Sequence, residues 1–285
     1  MEVLVKDVVS EGAEQLKQAG IADYQTDSWL LAEEILGVRR QDIWLIPNQS
    51  VDITLVQKYE EAVKRRATHV PLQHITGHQP FMDFDFMVNR DVLIPRSETE
   101  LLVEQVVSYI QSNFPDKNKT VKVLDMCTGS GCIAISVDKM CDNAKVRAVD
   151  ISEKALQVAR ENNIKNQANV TFIQSDLFEN VTDKFDVIVS NPPYIPTEAL
   201  QTLMEEVRDY DPPLALDGSE DGLKFYRIIS EKAEEFLNHH GRLFLEIGHD
   251  QGKSVPELLR ENGFSKIQVL KDLSGNDRMV IAGKE

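Results

Sequence analysis

The stretch from Val121 to Asp150 limits the possible folds of this chain more than any other. Val121-Lys-Val-Leu124 is a short β-branched apolar run and Asp125-Met-Cys127-Thr-Gly129-Ser-Gly131 is a glycine turn. Cys132 to Met140 starts a helix, and Ala144 to Val149 is a second apolar run that ends in Asp150. Strand, glycine turn, helix, strand is the repeating unit of a doubly wound parallel sheet. The glycines let a ligand approach the backbone at a helix amino terminus. An acid about 20 residues further on can accept hydrogen bonds from a ribose diol. Asp150 has that spacing from Gly131. Gly129-x-Gly131-x-x-Ala134 also satisfies the dinucleotide fingerprint, so the glycines alone leave nicotinamide cofactors and other adenosine ligands both open.

The pattern continues along the chain. Val170 to Gln174 reads as a third strand, followed by Ser175-Asp176-Leu177-Phe178, where Asp176 could bond an adenine amino group while Leu177 and Phe178 cover the ring. Phe185 to Ser190 is a strand buried on both faces. A long helix is expected from Ser219 or Asp221 to His240, closed by Gly241. Leu243 to Ile247, Lys266 to Leu270 and Met279 to Ala282 complete a sheet of seven strands.

Asn191-Pro192-Pro193-Tyr194 follows the fourth strand directly. Two prolines cannot continue a ladder, so the chain turns stiffly at a carboxyl end, where ligands bind in open α/β sheets. Such a corner can aim the Asn191 amide and the Pro192 carbonyl at a planar NH2 group, with the Tyr194 face beside it. The nitrogen of such a group is a poor nucleophile because its lone pair is delocalised, and two acceptors would fix it and favour the charge that develops during attack.

Residues 1 to about 70 read as a small helical unit. Val3 to Ala19, Asp27 to Leu36 and Asp52 to Ala67 carry the apolar periodicity, with Thr26 or Asp27 and Asp52 as caps and Gly37 as a stop. Its basic clusters, Arg39-Arg40 and Lys64-Arg65-Arg66, read as solvated helix faces. His69, His74 and His78 are close in sequence, but Pro71 and Gly77 break any helix that could align them, so no metal is expected. Phe81 to Val88 alternates as a linking hairpin. Ser97 with Glu100 reads as a capping box that opens a helix to Ile110. The expected domains are 1–72, a helical partner-binding unit; 73–95, a linker with the hairpin; and 96–285, the α/β domain.

The chain has 31 Lys plus Arg against 47 Asp plus Glu, a formal charge of −16. That balance disfavours a grip on long nucleic acid through its phosphates. Residues 1–20 carry Glu2, Lys6, Asp7, Glu11 and Glu14 in place of a basic start and an apolar stretch, no run approaches a membrane span, and three cysteines without CxxC spacing point to free thiols. A cytoplasmic monomer with no membrane partner and no stable nucleic-acid partner is expected.

From about Pro71 to Ala282 the sequence resembles the class I S-adenosylmethionine-dependent methyltransferases, and within them the release-factor glutamine N5-methyltransferases. The marks are Val92-Leu-Ile-Pro-Arg-Ser-Glu-Thr-Glu100, Asp125-Met-Cys-Thr-Gly-Ser-Gly131, Ala148-Val-Asp150, Ser190-Asn-Pro-Pro-Tyr194, and Asp211-Pro-Pro-Leu-Ala-Leu through Asp221-Gly-Leu. The tetrapeptide is shared with other amino-group methyltransferases, and its combination with the Ile-Pro-Arg segment is more specific. The resemblance implies a Rossmann-like seven-stranded domain after a small helical bundle. It implies that Cys127, Thr128, Gly129, Ser130 and Gly131 wrap the cofactor, Asp150 holds its ribose, and Asp176 and Leu177 lie by the adenine. Asn191 would lie near the transferred methyl, with Pro192 and Tyr194 in catalytic roles. Asn191 to Tyr194, Arg96 and Glu98 would bind the glutamine of a release factor, and S-adenosylhomocysteine would be the product. The family usually has Gly at the position of Cys127 and Pro at that of Ser97; a Cβ at 127 narrows the turn unless φ is negative. The alternatives are glutamine methylation of a ribosomal protein and N6-methylation of adenine in nucleic acid. A nicotinamide oxidoreductase would leave the tetrapeptide without a task, and a nucleotide-binding module without activity is the non-enzymatic reading.

Overall fold

Apolar residues at helical spacing build the first of two units in the computed structural model, which describes residues 3–42 and 49–283. This unit comprises Met1–His78 together with Met204–Tyr210; the second comprises Gln79–Leu203 and Asp211–Glu285. Helices Val5–Gln18, Tyr24–Leu36, Ile53–Ala67 and Leu72–Thr76 bury Val9, Leu16, Leu31, Tyr59 and Val63 in a shared core. Gly37, at φ 67°, ends the second helix, and the Asp52 carboxylate accepts the Thr54 N–H at 2.8 Å, as a cap should.

Two expectations for this unit fail for one reason. The second helix begins at Tyr24, so Asp27 lies inside it and caps nothing. Its carboxylate instead accepts from Arg66 Nε at 2.7 Å, while Arg66 Nη2 bonds Glu206 at 2.6 Å. Arg66 is therefore buried and not part of a solvated basic face. A buried charge persists only when paired, and this one fastens the short helix Glu205–Arg208 to residues far away in sequence. The three histidines serve separate neighbours: His69 faces Glu205 at 3.5 Å, His78 faces Glu34 at 3.1 Å, and the His74 ring lies 6.4 Å from that of Tyr210.

Strand β1 (His78–Phe81), which opens the second unit from Gln79 on, and β2 (Phe84–Met87) form the hairpin. A seven-stranded sheet follows, built from β3 (Val121–Met126), β4 (Ala144–Asp150), β5 (Thr171–Gln174), β6 (Phe185–Ser190), β7 (Leu237–Glu246), β8 (Ser265–Lys271) and β9 (Asp277–Gly283). Its order is β5-β4-β3-β6-β7-β9-β8, with β9 antiparallel to both neighbours. Alternation along the strands feeds two cores. Val123, Val187 and Val189 face helices Ser97–Asn113 and Cys132–Met140, whereas Leu124, Met126 and Ile188 face Lys224–Phe236 and Ser254–Glu261. The chain order reverses between β3 and β6, and in such sheets the crevice beyond the strand ends at that point receives ligands.

Two more expectations are corrected here. Helix Lys224–Phe236 stops before His240, and β7 starts at Leu237. Gly241 lies within that strand, beside a register shift against β6 and next to His240 at φ 66°: a bulge rather than a helix cap. Ser97 opens its helix without a side-chain cap, because Glu100 reaches across to accept the Met82 N–H at 2.5 Å.

Candidate active site

The cavity at the switch point, of about 290 Å³, lies wholly within the second unit. Cys127, Thr128, Gly129, Ser130, Asp150, Asp176 and Leu177 line it, with Asn191, Pro193 and Arg96. Gly131, Glu98, Pro192 and Tyr194 do not line it.

The turn after β3 is held from below. Asp125 is fully buried, its Oδ2 accepts the Thr128 hydroxyl at 2.6 Å, and burial pushes its carboxyl up to about 7. Asp150, at the end of β4, accepts Gly129 N–H through Oδ2 and Ser152 N–H through Oδ1, each at 2.9 Å. Burial raises it as well, against those backbone bonds. A Cβ placed on Gly129 would meet open space, so the turn's outer face looks into the cavity. Cys127 adopts φ 58°, the left-handed conformation that glycine takes freely and an L residue takes at a cost. Burial, with Asp150 nearby, holds its thiol well above the usual range and so protonated. Leu177, at φ 47°, turns the chain after β5 and brings Asp176 to the rim. Phe178 faces away, stacked on Phe236 at 4.6 Å in the core.

The corner after β6 is clamped differently. Ile195 N–H bonds Leu216 O and Gly218 N–H bonds Ile195 O. Gln251 Nε2 donates to the Tyr194 carbonyl at 3.1 Å and to that of Gly222 at 3.2 Å. A Cβ on Gly218 would sit 2.9 Å from Tyr194 Cα, and one on Gly222 would overlap the Tyr194 carbonyl oxygen, so only glycine admits this approach. The Tyr194 side chain packs on the core that includes Tyr226, and burial pushes its hydroxyl up to about 12. Asn191 Nδ2 donates to Thr99 Oγ1 at 3.3 Å. Among the described residues no hydrogen bond reaches the Pro192 carbonyl. Arg96 Nη2 bonds the buried Asp211 at 2.7 Å, tying the Ile-Pro-Arg segment to Asp211-Pro-Pro.

Beyond this geometry, the chain matches the family model "PrmC N-terminal domain" over residues 7–77 and "Methyltransferase small domain" over residues 99–209. It is 38% identical to the release factor glutamine methyltransferase of Clostridium botulinum, over 99% of this chain and 100% of that one. The chain belongs to the release factor glutamine methyltransferase family. Another member, from Thermodesulfovibrio yellowstonii, is 40% identical over 89% of this chain and 91% of its own. Among solved structures, a methyltransferase from Pyrococcus furiosus aligns with a TM-score of 0.52 at 21% identity, over 72% of this chain and 90% of that one; this likeness concerns the fold alone.

Sequence reasoning about this family member missed part of the wall. Phe225 and Ile228, on the helix after Gly222, close one side, and Arg90 and Asp91 another. It also missed Thr99 and Glu246 beneath Asn191. A carboxylate in the otherwise apolar run Leu243 to Ile247 was the available signal, since such a charge stays buried only with partners.

Proposed function

We propose that this chain transfers a methyl group from S-adenosylmethionine to the side-chain amide nitrogen of a glutamine in a peptide chain release factor. The observation that carries the reading is the single cavity that joins the Gly129 turn and Asp150 to Asn191. The residues present fit the methyl donor. Asp150 ends a strand with its carboxylate in the cavity wall, as a ribose diol requires, and the open face of Gly129 leaves room for close approach. Asp176 and Leu177, also in the cavity wall, would bond an adenine at its edge and cover its face.

When bound, S-adenosylmethionine supplies a methyl on a cationic sulfur, already strongly electrophilic. What this chain adds is placement. The Asn191 carbonyl, at the cavity wall, accepts one hydrogen of the glutamine NH2, and the Pro192 carbonyl, next along the chain and outside the cavity lining, accepts the other, which turns the nitrogen lone pair toward the cofactor side of the cavity. Both acceptors gain strength as positive charge develops on that nitrogen. Deprotonation needs no strong base beforehand, because the nitrogen becomes acidic as it is alkylated. Leu177, Phe225 and Ile228 exclude water from the cavity wall. The product is N5-methylglutamine, with S-adenosylhomocysteine left behind.

The helical unit, with no catalytic pair of its own, would grip the protein substrate. The enzyme would act as a monomer in the cytoplasm, without stable nucleic-acid binding. Among the described residues, no helix is long and apolar enough to cross a membrane. Incubation with methyl-labelled S-adenosylmethionine and, separately, a release factor, ribosomal proteins and DNA tests the reading. Label is expected on a release-factor glutamine; label only on ribosomal protein or on adenine would replace it.

A further inference from the structure

Asn191 can serve a glutamine amide in only one of its two flips, and its own corner does not choose between them. The side chain ends in a carbonyl oxygen and an NH2 of nearly the same shape. With the NH2 turned inward, the carbonyl is left for an N–H of the methyl acceptor. Flipped, the residue would offer a donor to the cavity and favour a carboxylate there.

Two residues outside the tetrapeptide decide the matter. Thr99 Oγ1 donates to Glu246 Oε2 at 2.7 Å. A threonine hydroxyl has one proton, and with that proton on Glu246 its oxygen can only accept, which it does from Asn191 Nδ2 at 3.3 Å. Thr99 is 3% exposed and Glu246 2%, so a flipped Asn191 would press its oxygen on the lone pairs of Thr99 Oγ1, whose proton is committed to Glu246, with no water to relieve them. Glu246 is itself fixed in place: the Tyr226 hydroxyl donates to its backbone carbonyl at 2.8 Å, and its neighbours in β7 pair with β6 and β9.

We propose that Thr99 and Glu246 are positioning residues that lock Asn191 with its NH2 inward, and so make the site select a glutamine amide over a glutamate carboxylate. The proposal rests on the methyl-transfer reading above. It extends that reading from which atoms touch the acceptor to what sets their polarity.

Thr99→Val keeps the shape and removes the hydroxyl, which frees Asn191 to flip. Two quantities are measured with a release factor as substrate at pH 8, where Glu246 is ionised and can only accept: kcat at saturating cofactor, and inhibition by the same release factor carrying glutamate at the methylated position. Relative to wild type, Thr99→Val is expected to lose about 10-fold in kcat and to bind the glutamate form about 10-fold better relative to the glutamine form, with cofactor Kd unchanged. Thr99→Ser, which keeps the hydroxyl, is expected to restore both. A purely structural role for Thr99 would not shift the glutamate-to-glutamine ratio in that direction. An unmoved ratio in Thr99→Val, or a Thr99→Ser protein as altered as Thr99→Val, overturns the proposal. Should Thr99→Val fail to fold, Glu246→Gln takes its place. Glutamine can donate as well as accept, so a ratio between those of wild type and a free flip is expected, and a wild-type ratio overturns the proposal. Wild-type enzyme that methylates no glutamine at all defeats the functional reading itself. Active wild type with an unmoved ratio defeats only the lock.

Discussion

The turn after β3 and the corner after β6 lie at the carboxyl ends of adjacent strands, and each rests on a buried carboxyl held by a threonine: Asp125 through Thr128 at 2.6 Å and Glu246 through Thr99 at 2.7 Å. They differ in what they present. The β3 turn offers backbone, with a left-handed residue at 127 and glycines at 129 and 131, and the Asp150 carboxylate brackets it from β4. The β6 corner offers a side-chain amide on a proline-stiffened path that Gln251, Gly218 and Gly222 clamp from outside. Backbone suits a ligand recognised by shape and by its diol. An oriented amide suits a group that must be placed along one line for attack. Damage to the corner is therefore expected to appear in kcat, and damage to the turn in cofactor affinity.

Asn191→Ala should give the largest effect, a fall in kcat of roughly 10²-fold or more with little change in cofactor Kd by titration calorimetry. An equal loss of affinity would erase the distinction between the two sites. Asp150→Ala should do the reverse. It removes a carboxylate that both orders the Gly129 N–H and faces the cavity, so cofactor Kd should weaken by roughly 10- to 50-fold while kcat at saturating cofactor stays within a few-fold. Gly222→Ala attacks the corner indirectly. At φ 73° the new Cβ is both strained and in the way of the Tyr194 carbonyl, so kcat should drop by about 10-fold and urea unfolding should lose about 2 kcal/mol.

The paired carboxyls sharpen the comparison through pH. Burial pushes both Asp125 and Glu246 up to about 7, whereas in the unfolded chain each titrates near 4. Between those values the folded protein holds protons that the unfolded chain has released. The free energy of unfolding therefore falls as pH rises from about 4 to 7, and flattens above. Each group contributes at most about 4 kcal/mol to that fall. Urea titrations at pH 5.5 and 8 should show the loss in wild type and a smaller one in Glu246→Gln and in Asp125→Asn. If one variant alone flattens the profile, only one of the two supports is buried as a neutral acid.

Much of this fold can be read in the sequence because its signals are local. The β3-turn-helix-β4 unit, the apolar β6 and the Pro-Pro stop each depend on residues within a few positions of one another, and their bounds fall within about two residues of expectation. The failures share the opposite character. Gly241 after a helical stretch reads as a cap, yet it lies in a bulge that only the pairing with β6 creates. Glu100 is offered a local partner at Ser97 and takes the Met82 N–H instead. Arg66 looks like one of three solvated cations until Asp27 and Glu206 arrive from 39 residues before and 140 after. The site divides along the same line. The turn and Asp150 were legible as a motif, while the Thr99–Glu246 support of Asn191 spans 147 residues and shows in sequence only as an acid in an apolar strand.

The smallest expected effect bears on the one place where the β3 turn departs from glycine. Cys127 holds φ 58°, which costs an L residue on the order of 1–2 kcal/mol, and it also packs its side chain against the core beside Ser190. Cys127→Gly removes the strain, but it gives up that packing and loosens the unfolded chain, so stability should move by less than about 1 kcal/mol in either direction. Cofactor affinity need not cancel in this way. Cys127 lines the cavity, and removal of its Cβ widens the turn on the side the ligand approaches, so Kd should tighten by about 2- to 5-fold. Cys127→Ala separates the causes, because alanine keeps the Cβ and the strain and loses only the sulfur. If Ala tightens binding as much as Gly, the thiol was the obstruction; if only Gly does, the backbone position calls for glycine, and this chain binds its cofactor more weakly for carrying a cysteine there.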